Sequence, residues 1–263
     1  MTPSIDLTII LPAFLAGVLV LLTHVPLGSQ VLKRGIVFID LAIAQIAALG
    51  VILAGWADLE PHGWSIQLAA GAAAVLGALL LTWTERRWPE VQEAQIGVLF
   101  ILAATAALLL VAHNPHGGEH LHDLLAGQIL WVSYPQLIWP AAGTLGCLAL
   151  LAVFKENLPR IGFYLIFALA VTVSVQLVGV YLVFASLIVP SLAVRHYPEN
   201  RRLQFAFVTG VGGYALGLIA SIIYDLPSGA LIVWALSLLS MLVYGLGPNR
   251  QQSAGDHGHG PHG

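Results

Sequence analysis

Four histidines and two carboxylates stand close together between residues 113 and 123. The six residues are His113, His116, Glu119, His120, His122 and Asp123. Imidazole nitrogen suits zinc, copper, iron and nickel, whereas calcium and magnesium sites are built from oxygen. Pro115, Gly117 and Gly118 make the stretch flexible, so we expect a loop that collects metal and no rigid closed site. The alternative is a solvated polar loop whose histidines are incidental.

A second histidine cluster lies at the C-terminus, where His257, His259 and His262 alternate with glycine and proline after Asp256. Alternating His and Gly is a compositional metal-binding tract. Such a segment cannot pack a core, so the sequence predicts a disordered tail at 249–263. The tail could hold metal, or it could be dispensable.

A third group consists of polar residues and a proline within otherwise apolar stretches: Asp40, Gln45, Glu93, Gln95, Ser186 and Pro190. Polar and ionisable groups inside a membrane are costly and are functional candidates by default. We therefore predict that these residues line a translocation path. Two alternatives stay open: Asp40 could simply pair with Lys33 or Arg34 at the interface, and Ser186 could only form an interhelical hydrogen bond.

Several function classes are excluded by what the sequence lacks. No HExxH, GxSxG or P-loop motif occurs, so the sequence predicts no catalytic residues, no enzyme activity and no nucleotide site. The basic residues are few and scattered, which predicts no nucleic-acid partner.

The elements that must position these residues are membrane helices. Only 9% of the 263 residues are charged, 58% are hydrophobic, and the mean hydropathy is +0.87. Soluble domains carry about 25% charged residues, and a bilayer-spanning helix needs roughly 20 apolar residues. The fold class is therefore all-α, a polytopic transmembrane helical bundle of eight or nine spans over residues 1–248, in contact with membrane lipid.

Polar breaks divide the chain into nine candidate spans. They lie near 8–28, 38–56, 65–83, 95–113, 134–154, 161–177, 179–195, 203–224 and 229–247. The uncertain stretch is 161–195, which is too long for one ordinary span and short for two. Because Gly179 and Pro190 interrupt it, we predict two short helices; one long tilted helix with a re-entrant end is the alternative.

All ten Lys and Arg residues follow odd-numbered spans: Lys33, Arg34, Arg86, Arg87, Lys155, Arg160, Arg195, Arg201, Arg202 and Arg250. The positive-inside rule then places the N-terminus outside and the C-terminus in the cytoplasm. The regularity also favours splitting 161–195. It predicts that the loop at 113–123 and the C-terminal tail lie on opposite faces of the membrane.

Small residues predict close helix contacts. Ala69, Ala73 and Gly77 recur every four residues, as do Thr209, Gly213 and Gly217. This spacing lets helix backbones approach closely in membrane bundles.

Three stretches resemble the permease subunits of the ABC-type zinc, manganese and iron importers. Residues 33–50 have a basic turn followed by Asp40 and a helix that ends at Gly50. Residues 93–100, with 123–133 later, are similar to a second family motif, and residues 178–193, from Val178-Gly179 to Pro190, to a third. Two features depart from the family pattern: Gln45 stands where the family usually has His, and the segment 154–160 is short.

The resemblance implies a dimeric permease core, expected to be a homodimer, with cytoplasmic ATPase subunits and an extracytoplasmic metal-binding protein. It implies a multi-pass protein of the cell (inner) membrane that has no cofactor of its own. The metal ion is cargo; the histidines favour zinc, with manganese and iron as alternatives. Two other functions stay open: a non-transporting membrane metal receptor or sensor, and a secondary metal transporter.

Overall fold

The computed structural model describes residues 7–56, 64–111, 129–154 and 159–248. Within these ranges the chain forms nine α-helices: α1 (Leu7–Arg34), α2 (Ile39–Trp56), α3 (Trp64–Arg87), α4 (Gln92–Val111), α5 (Tyr134–Phe154), α6 (Arg160–Val178), α7 (Val180–Ala193), α8 (Glu199–Tyr224) and α9 (Ser228–Leu246). Two short 3-10 helices, Pro89–Val91 and Ile129–Trp131, precede α4 and α5.

The predicted spans match these helices one for one. Seven of the helices in the described ranges are long and apolar enough to cross a membrane, and the two shorter ones, α2 and α7, are also apolar. The helices α1 and α3 continue past their predicted ends at 28 and 83, to Arg34 and Arg87. Basic side chains in a last helical turn are favourable to the helix dipole and can extend towards the polar interface.

The stretch 161–195 divides at Gly179, so the prediction of two helices is confirmed and the alternative of one long helix is wrong. Gly179 has φ +82°, a backbone conformation that favours glycine because it lacks a Cβ atom. Its N–H donates to the carbonyl of Val175 at 2.8 Å, and its own carbonyl accepts from Val183 at 3.1 Å. One residue therefore both closes α6 and starts α7.

The prediction that Pro190 also breaks this stretch is wrong. Pro190 lies buried inside α7, which continues to Ala193. A proline has no N–H to offer the carbonyl of Ser186 four residues earlier. Transmembrane helices tolerate this loss because neighbouring helices and side chains can satisfy the freed groups.

Helix α6 lies at the centre of the bundle. Its large side chains Phe163, Tyr164 and Phe167 are completely buried. It contacts α1, α2, α3, α5 and α7, while α2 packs against α3 and α4 and α1 packs against α7 and α8. The buried polar residues described below lie on these central helices.

The small-residue patterns mark close contacts, as predicted. A methyl group placed on Gly50 of α2 would lie 2.6 Å from the Cβ atom of Ala73 and 2.8 Å from the carbonyl oxygen of Ala69, both in α3. One placed on Gly217 of α8 would lie 2.7 Å from the backbone nitrogen of Ile232 in α9. The small side chains therefore let α2 approach α3, and α8 approach α9.

Several helix ends that carry basic residues meet at one end of the bundle. Lys33 at the end of α1 forms an ion pair with Glu199 at the start of α8, with 2.9 Å between Nζ and Oε1. The guanidinium of Arg34 lies 4.2 Å from the ring centre of Phe163 in α6. Arg195, after α7, donates to the hydroxyl of Tyr244 near the end of α9 at 3.2 Å. These contacts agree with the predicted clustering of basic residues on one face.

Candidate cation-binding residues within the bundle

Asp40 is the most unusual polar residue of the bundle. It lies in the first turn of α2, and only 1% of it is exposed. The backbone N–H groups of Asp40 and Leu41 and the carboxylate of Glu93 act on it electrostatically, but neither of its oxygens has a hydrogen-bond partner among the described residues. The helix dipole favours a negative charge at this position, although it does not replace a counter-ion.

The basic residues nearest in sequence do not neutralise Asp40. Lys33 pairs with Glu199, and Arg34 stacks over Phe163. The alternative in which Asp40 merely pairs with Lys33 or Arg34 is therefore wrong. The physical reason is that the turn at 35–38 separates the two helices, and each basic side chain meets another partner at the bundle end.

Glu93 brings a second carboxylate to the same region from the start of α4. Its Oε1 accepts a hydrogen bond from the N–H of Phe38 at 3.3 Å, which holds the α4 start against the turn before α2. Its Oε2 is buried and has no hydrogen-bond partner among the described residues, and the same holds for Oε1 of Gln95. Three side chains on two packed helices, Asp40 in α2 and Glu93 and Gln95 in α4, thus have buried oxygen atoms without a hydrogen-bond partner among the described residues.

Gln45 is also buried in α2, with 4% of the residue exposed. It follows Asp40 by five positions, which separates the two side chains by roughly 140° around the helix axis. Asp40 and Gln45 therefore do not form a pair on one face of α2.

Ser186 has its hydrogen bonds satisfied inside the bundle. Its hydroxyl donates to the carbonyl of Leu182 at 2.6 Å, so the hydroxyl of Tyr214 in α8, at 2.8 Å, is the donor in their mutual bond. Both residues are fully buried. This geometry favours the interhelical hydrogen bond for Ser186; that it or Pro190 lines a path stays a prediction.

Sequence reasoning missed two polar side chains that connect helices. Gln92 donates to the carbonyl of Leu81 at 3.1 Å and to the hydroxyl of Tyr164 at 3.2 Å, which joins α3, α4 and α6. Tyr214 supplies the partner of Ser186. Tyr214 carries a signal, a polar group inside the predicted span 203–224, whereas Gln92 lies just before the predicted span 95–113 and carries none.

His24 is a further polar residue that the sequence did not predict as functional. It lies inside α1 and is completely buried. Its Nδ1 lies 2.9 Å from the carbonyl oxygen of Val20 and 3.1 Å from the hydroxyl of Thr23. Its Nε2 has no hydrogen-bond partner among the described residues. The signal available in the sequence was a single histidine within the first apolar span.

The predicted histidine clusters fall outside the described residues. This concerns the loop His113, His116, Glu119, His120, His122 and Asp123, and the tail His257, His259 and His262. Both remain predictions. In the part of the chain that the structure does describe, no group of three or more His, Cys, Asp or Glu side chains is arranged to hold a metal ion.

Comparison with known proteins gives a consistent result along the chain. The model of the ABC 3 transport family matches residues 6–164 and 155–246. The chain is 23% identical to the high-affinity zinc uptake system membrane protein ZnuB of Haemophilus influenzae, over 89% of this chain and 96% of that protein. It is 27% identical to the manganese transport system membrane protein MntC of Halalkalibacterium halodurans, over 90% and 87% of the two chains.

A solved structure shares the fold. The structure of PsaBC from Streptococcus pneumoniae in complex with Fab superposes with a TM-score of 0.75, covers 92% of each chain and is 18% identical in sequence. The arrangement of the helices is therefore a known one.

Proposed function

Because the chain belongs to the ABC 3 transport family, a family of transport permeases, we propose that it is the membrane-spanning permease subunit of an ATP-driven importer of transition-metal ions. The chain itself is a multi-pass membrane protein. In this proposal it works with a cytoplasmic ATPase subunit, an extracytoplasmic metal-binding protein and a second copy of itself. It moves the ion from the binding protein to the cytoplasm and needs no cofactor of its own.

The observation that carries the proposal is the buried, unpaired carboxylate of Asp40 beside Glu93. Moving an ionised carboxylate out of water costs several kcal/mol of solvation free energy unless an opposite charge compensates it. Here the neighbouring basic residues are occupied elsewhere, and the second nearby charge is also negative. A passing divalent cation would supply the missing compensation, and the few ligands would let it leave again.

The orientation follows from the basic residues. We place the bundle end that carries Lys33, Arg34 and Arg195 in the cytoplasm, by the positive-inside rule. Asp40 and Glu93 then lie near the inner end of the path, where the ion is released. The same orientation puts the loop at 113–123 outside and the tail at 249–263 inside.

We propose zinc as the preferred cargo. Borderline metals such as zinc bind imidazole well, whereas manganese prefers oxygen ligands. The chain has ten histidines, and four of them fall in the loop at 113–123, which we place at the entrance. One relative is named for zinc and another for manganese, so the histidines of this chain are the feature that supports our choice of zinc.

Uptake by cells tests the proposal. A strain that lacks this gene is starved of zinc, manganese or iron in turn, and accumulation of each radioactive metal is compared with and without the gene restored. We expect restored zinc accumulation that stops when cellular ATP is depleted. Equal accumulation in both strains for all three metals would contradict transport and favour a non-transporting receptor; accumulation that survives ATP depletion but collapses with the membrane potential would favour a secondary transporter.

A further inference from the structure

The side chain of His24 lies within the bundle, in the second half of α1, and is completely buried. Its neighbours on one side are fixed: Nδ1 is 2.9 Å from the carbonyl oxygen of Val20 and 3.1 Å from Oγ1 of Thr23. The Thr23 hydroxyl donates to the same Val20 carbonyl at 3.1 Å. The ring is therefore held in one orientation by its own helix.

These contacts determine which ring nitrogen carries the proton. A carbonyl oxygen only accepts hydrogen bonds, so Nδ1 must be the donor towards Val20. The Thr23 hydroxyl uses its single proton on Val20 and acts as an acceptor towards the ring. In the neutral imidazole Nε2 then carries a lone pair, and this atom has no hydrogen-bond partner among the described residues.

A histidine that serves only the fold usually satisfies both nitrogens, since buried acceptors without a donor are rare. A histidine that ligates a metal donates its other ring N–H to a carbonyl or carboxylate, which fixes the tautomer and directs the free nitrogen at the ion. His24 has this second arrangement: Nδ1 is bonded to the Val20 carbonyl, and Nε2 has no hydrogen-bond partner among the described residues.

The position of His24 puts this nitrogen inside the protein and away from lipid. Leu21, His24 and Gly28 share one face of α1 because they are spaced by three and four residues. Leu21 contacts Gly210 of α8, and Gly28 lies against Ser191 of α7; the carbonyl of Val25 accepts a hydrogen bond from the Ser191 hydroxyl at 3.3 Å. His24 thus lies on the side of α1 that faces α7 and α8.

We infer that Nε2 of His24 is a transient ligand for the transported metal ion within the bundle, an inference that rests on the proposed function. One neutral nitrogen offers a borderline cation such as Zn²⁺ a ligand that Mg²⁺ and Mn²⁺ favour less. It brings no negative charge, so binding is weak and the ion can move on to the carboxylates of Asp40 and Glu93. His24 would therefore contribute to the selection of zinc, and the carboxylates of Asp40 and Glu93 would contribute to the release of the ion.

Two substitutions distinguish the role of Nδ1 from the role of Nε2. His24→Asn keeps an amide donor near the Nδ1 position, where it can still reach the Val20 carbonyl, but removes Nε2. His24→Gln places its amide near the Nε2 position. Thr23→Val is the matched control, because it removes the neighbouring hydroxyl and leaves both the Nδ1–Val20 bond and Nε2.

The test uses the full chain with its ATPase and binding protein in proteoliposomes, with zinc and manganese uptake measured side by side. We expect His24→Asn to lower zinc uptake roughly tenfold or more, the loss typical of a damaged metal site, and to lower manganese uptake less. His24→Gln should retain part of the zinc uptake, and Thr23→Val should resemble the wild type. An unchanged zinc-to-manganese ratio in His24→Asn would overturn the inference, because a purely structural role affects both metals alike.

A zinc-binding measurement tests the inference even if the variants fold poorly or the wild type does not transport. The histidines of the loop and the tail are first replaced in the full chain. Equilibrium dialysis with radioactive zinc then compares this chain, which keeps His24, with its His24→Asn and His24→Gln variants, each in the complex. Lower zinc binding by His24→Asn than by the chain that keeps His24, at zinc concentrations high enough to fill a weak site, supports the inference even if transport is absent. Equal zinc binding by all three proteins overturns it, whatever the transport assay gives.

Discussion

Lys33 forms its ion pair with Glu199, at 2.9 Å between Nζ and Oε1, while the buried carboxylate of Asp40 has no hydrogen-bond partner in the part of the chain that the structure describes. Both partners of this pair are largely exposed, so it contributes little to stability. In the proposed function its consequence for Asp40 is larger. The pair joins α1 to α8 at the end of the bundle, and it holds Lys33 away from the carboxylate of Asp40 at the start of α2.

Replacing Asp40 by Asn should separate transport from stability. The substitution removes the negative charge while keeping the size of the side chain. We expect zinc uptake to fall roughly tenfold or more, as for the loss of a metal ligand. We also expect the free energy of unfolding to rise by about 1 kcal/mol or more, because a buried ionisable group without a partner is replaced by a group that cannot be charged.

The measurements for Asp40→Asn are uptake by the reconstituted complex and the thermal unfolding midpoint in detergent. Glu90→Gln is the matched control, since it removes an exposed carboxylate just before α4, at the same end of the bundle, and leaves the Lys33–Glu199 pair in place. Wild-type uptake by Asp40→Asn would rule out a role for this carboxylate in the path, and a large drop in the midpoint would mean that the charge is compensated after all.

The Ser186–Tyr214 hydrogen bond should matter for the fold more than for transport. Tyr214→Phe removes one donor and leaves Ser186 bonded to Leu182, so we expect a loss of about 1 kcal/mol in stability. Ser186→Ala leaves the Tyr214 hydroxyl buried without its acceptor and should cost about 1–3 kcal/mol. Chemical unfolding in detergent measures both losses. If Ser186→Ala reduces uptake strongly while Tyr214→Phe does not, Ser186 lines the path directly.

Gly217 and Gly146 form a matched pair for the helix contacts. A methyl group on Gly217 meets the backbone of Ile232, whereas one on Gly146 meets nothing within 4 Å. Gly217→Ala should therefore destabilise the protein by about 1–3 kcal/mol. Gly146→Ala should be neutral or stabilising by up to about 1 kcal/mol, because Ala is the better helix former. Equal unfolding midpoints for the two variants would contradict the close α8–α9 contact.

The loop at 113–123 should act as a collector of metal. Replacing His113, His116, His120 and His122 together is expected to weaken zinc uptake mainly at low external zinc, because the loop raises the local concentration near the entrance. Uptake rates measured over a range of zinc concentrations test this. Abolished uptake even at saturating zinc would instead make the loop part of the path itself.

Much of the fold could be predicted from the sequence because membrane helices depend on apolar length and basic flanks. The break at Gly179 followed from the alternation of basic residues, and the contacts of Gly217 followed from its spacing to Gly213. The assignment of a second break to Pro190 failed, since a proline interior to a membrane helix does not by itself end it.

The polar site was only partly predictable. Asp40 and Glu93 are recognisable in the sequence as charged residues in apolar surroundings, but their closeness depends on how α2 and α4 pack. The pairing of Lys33 with Glu199, which is distant in sequence, cannot be predicted from the residues around Lys33. His24 was missed because its role depends on the Val20 carbonyl fixing one nitrogen and on the burial of the other.

The most direct test of the central claim is reconstitution of the full chain in proteoliposomes with its ATPase and its extracytoplasmic binding protein, followed by measurement of zinc accumulation. The metal-import proposal predicts accumulation that requires ATP and all three proteins and is faster for zinc than for manganese. Zinc accumulation at the same rate without ATP, or none with all three proteins present, would contradict it.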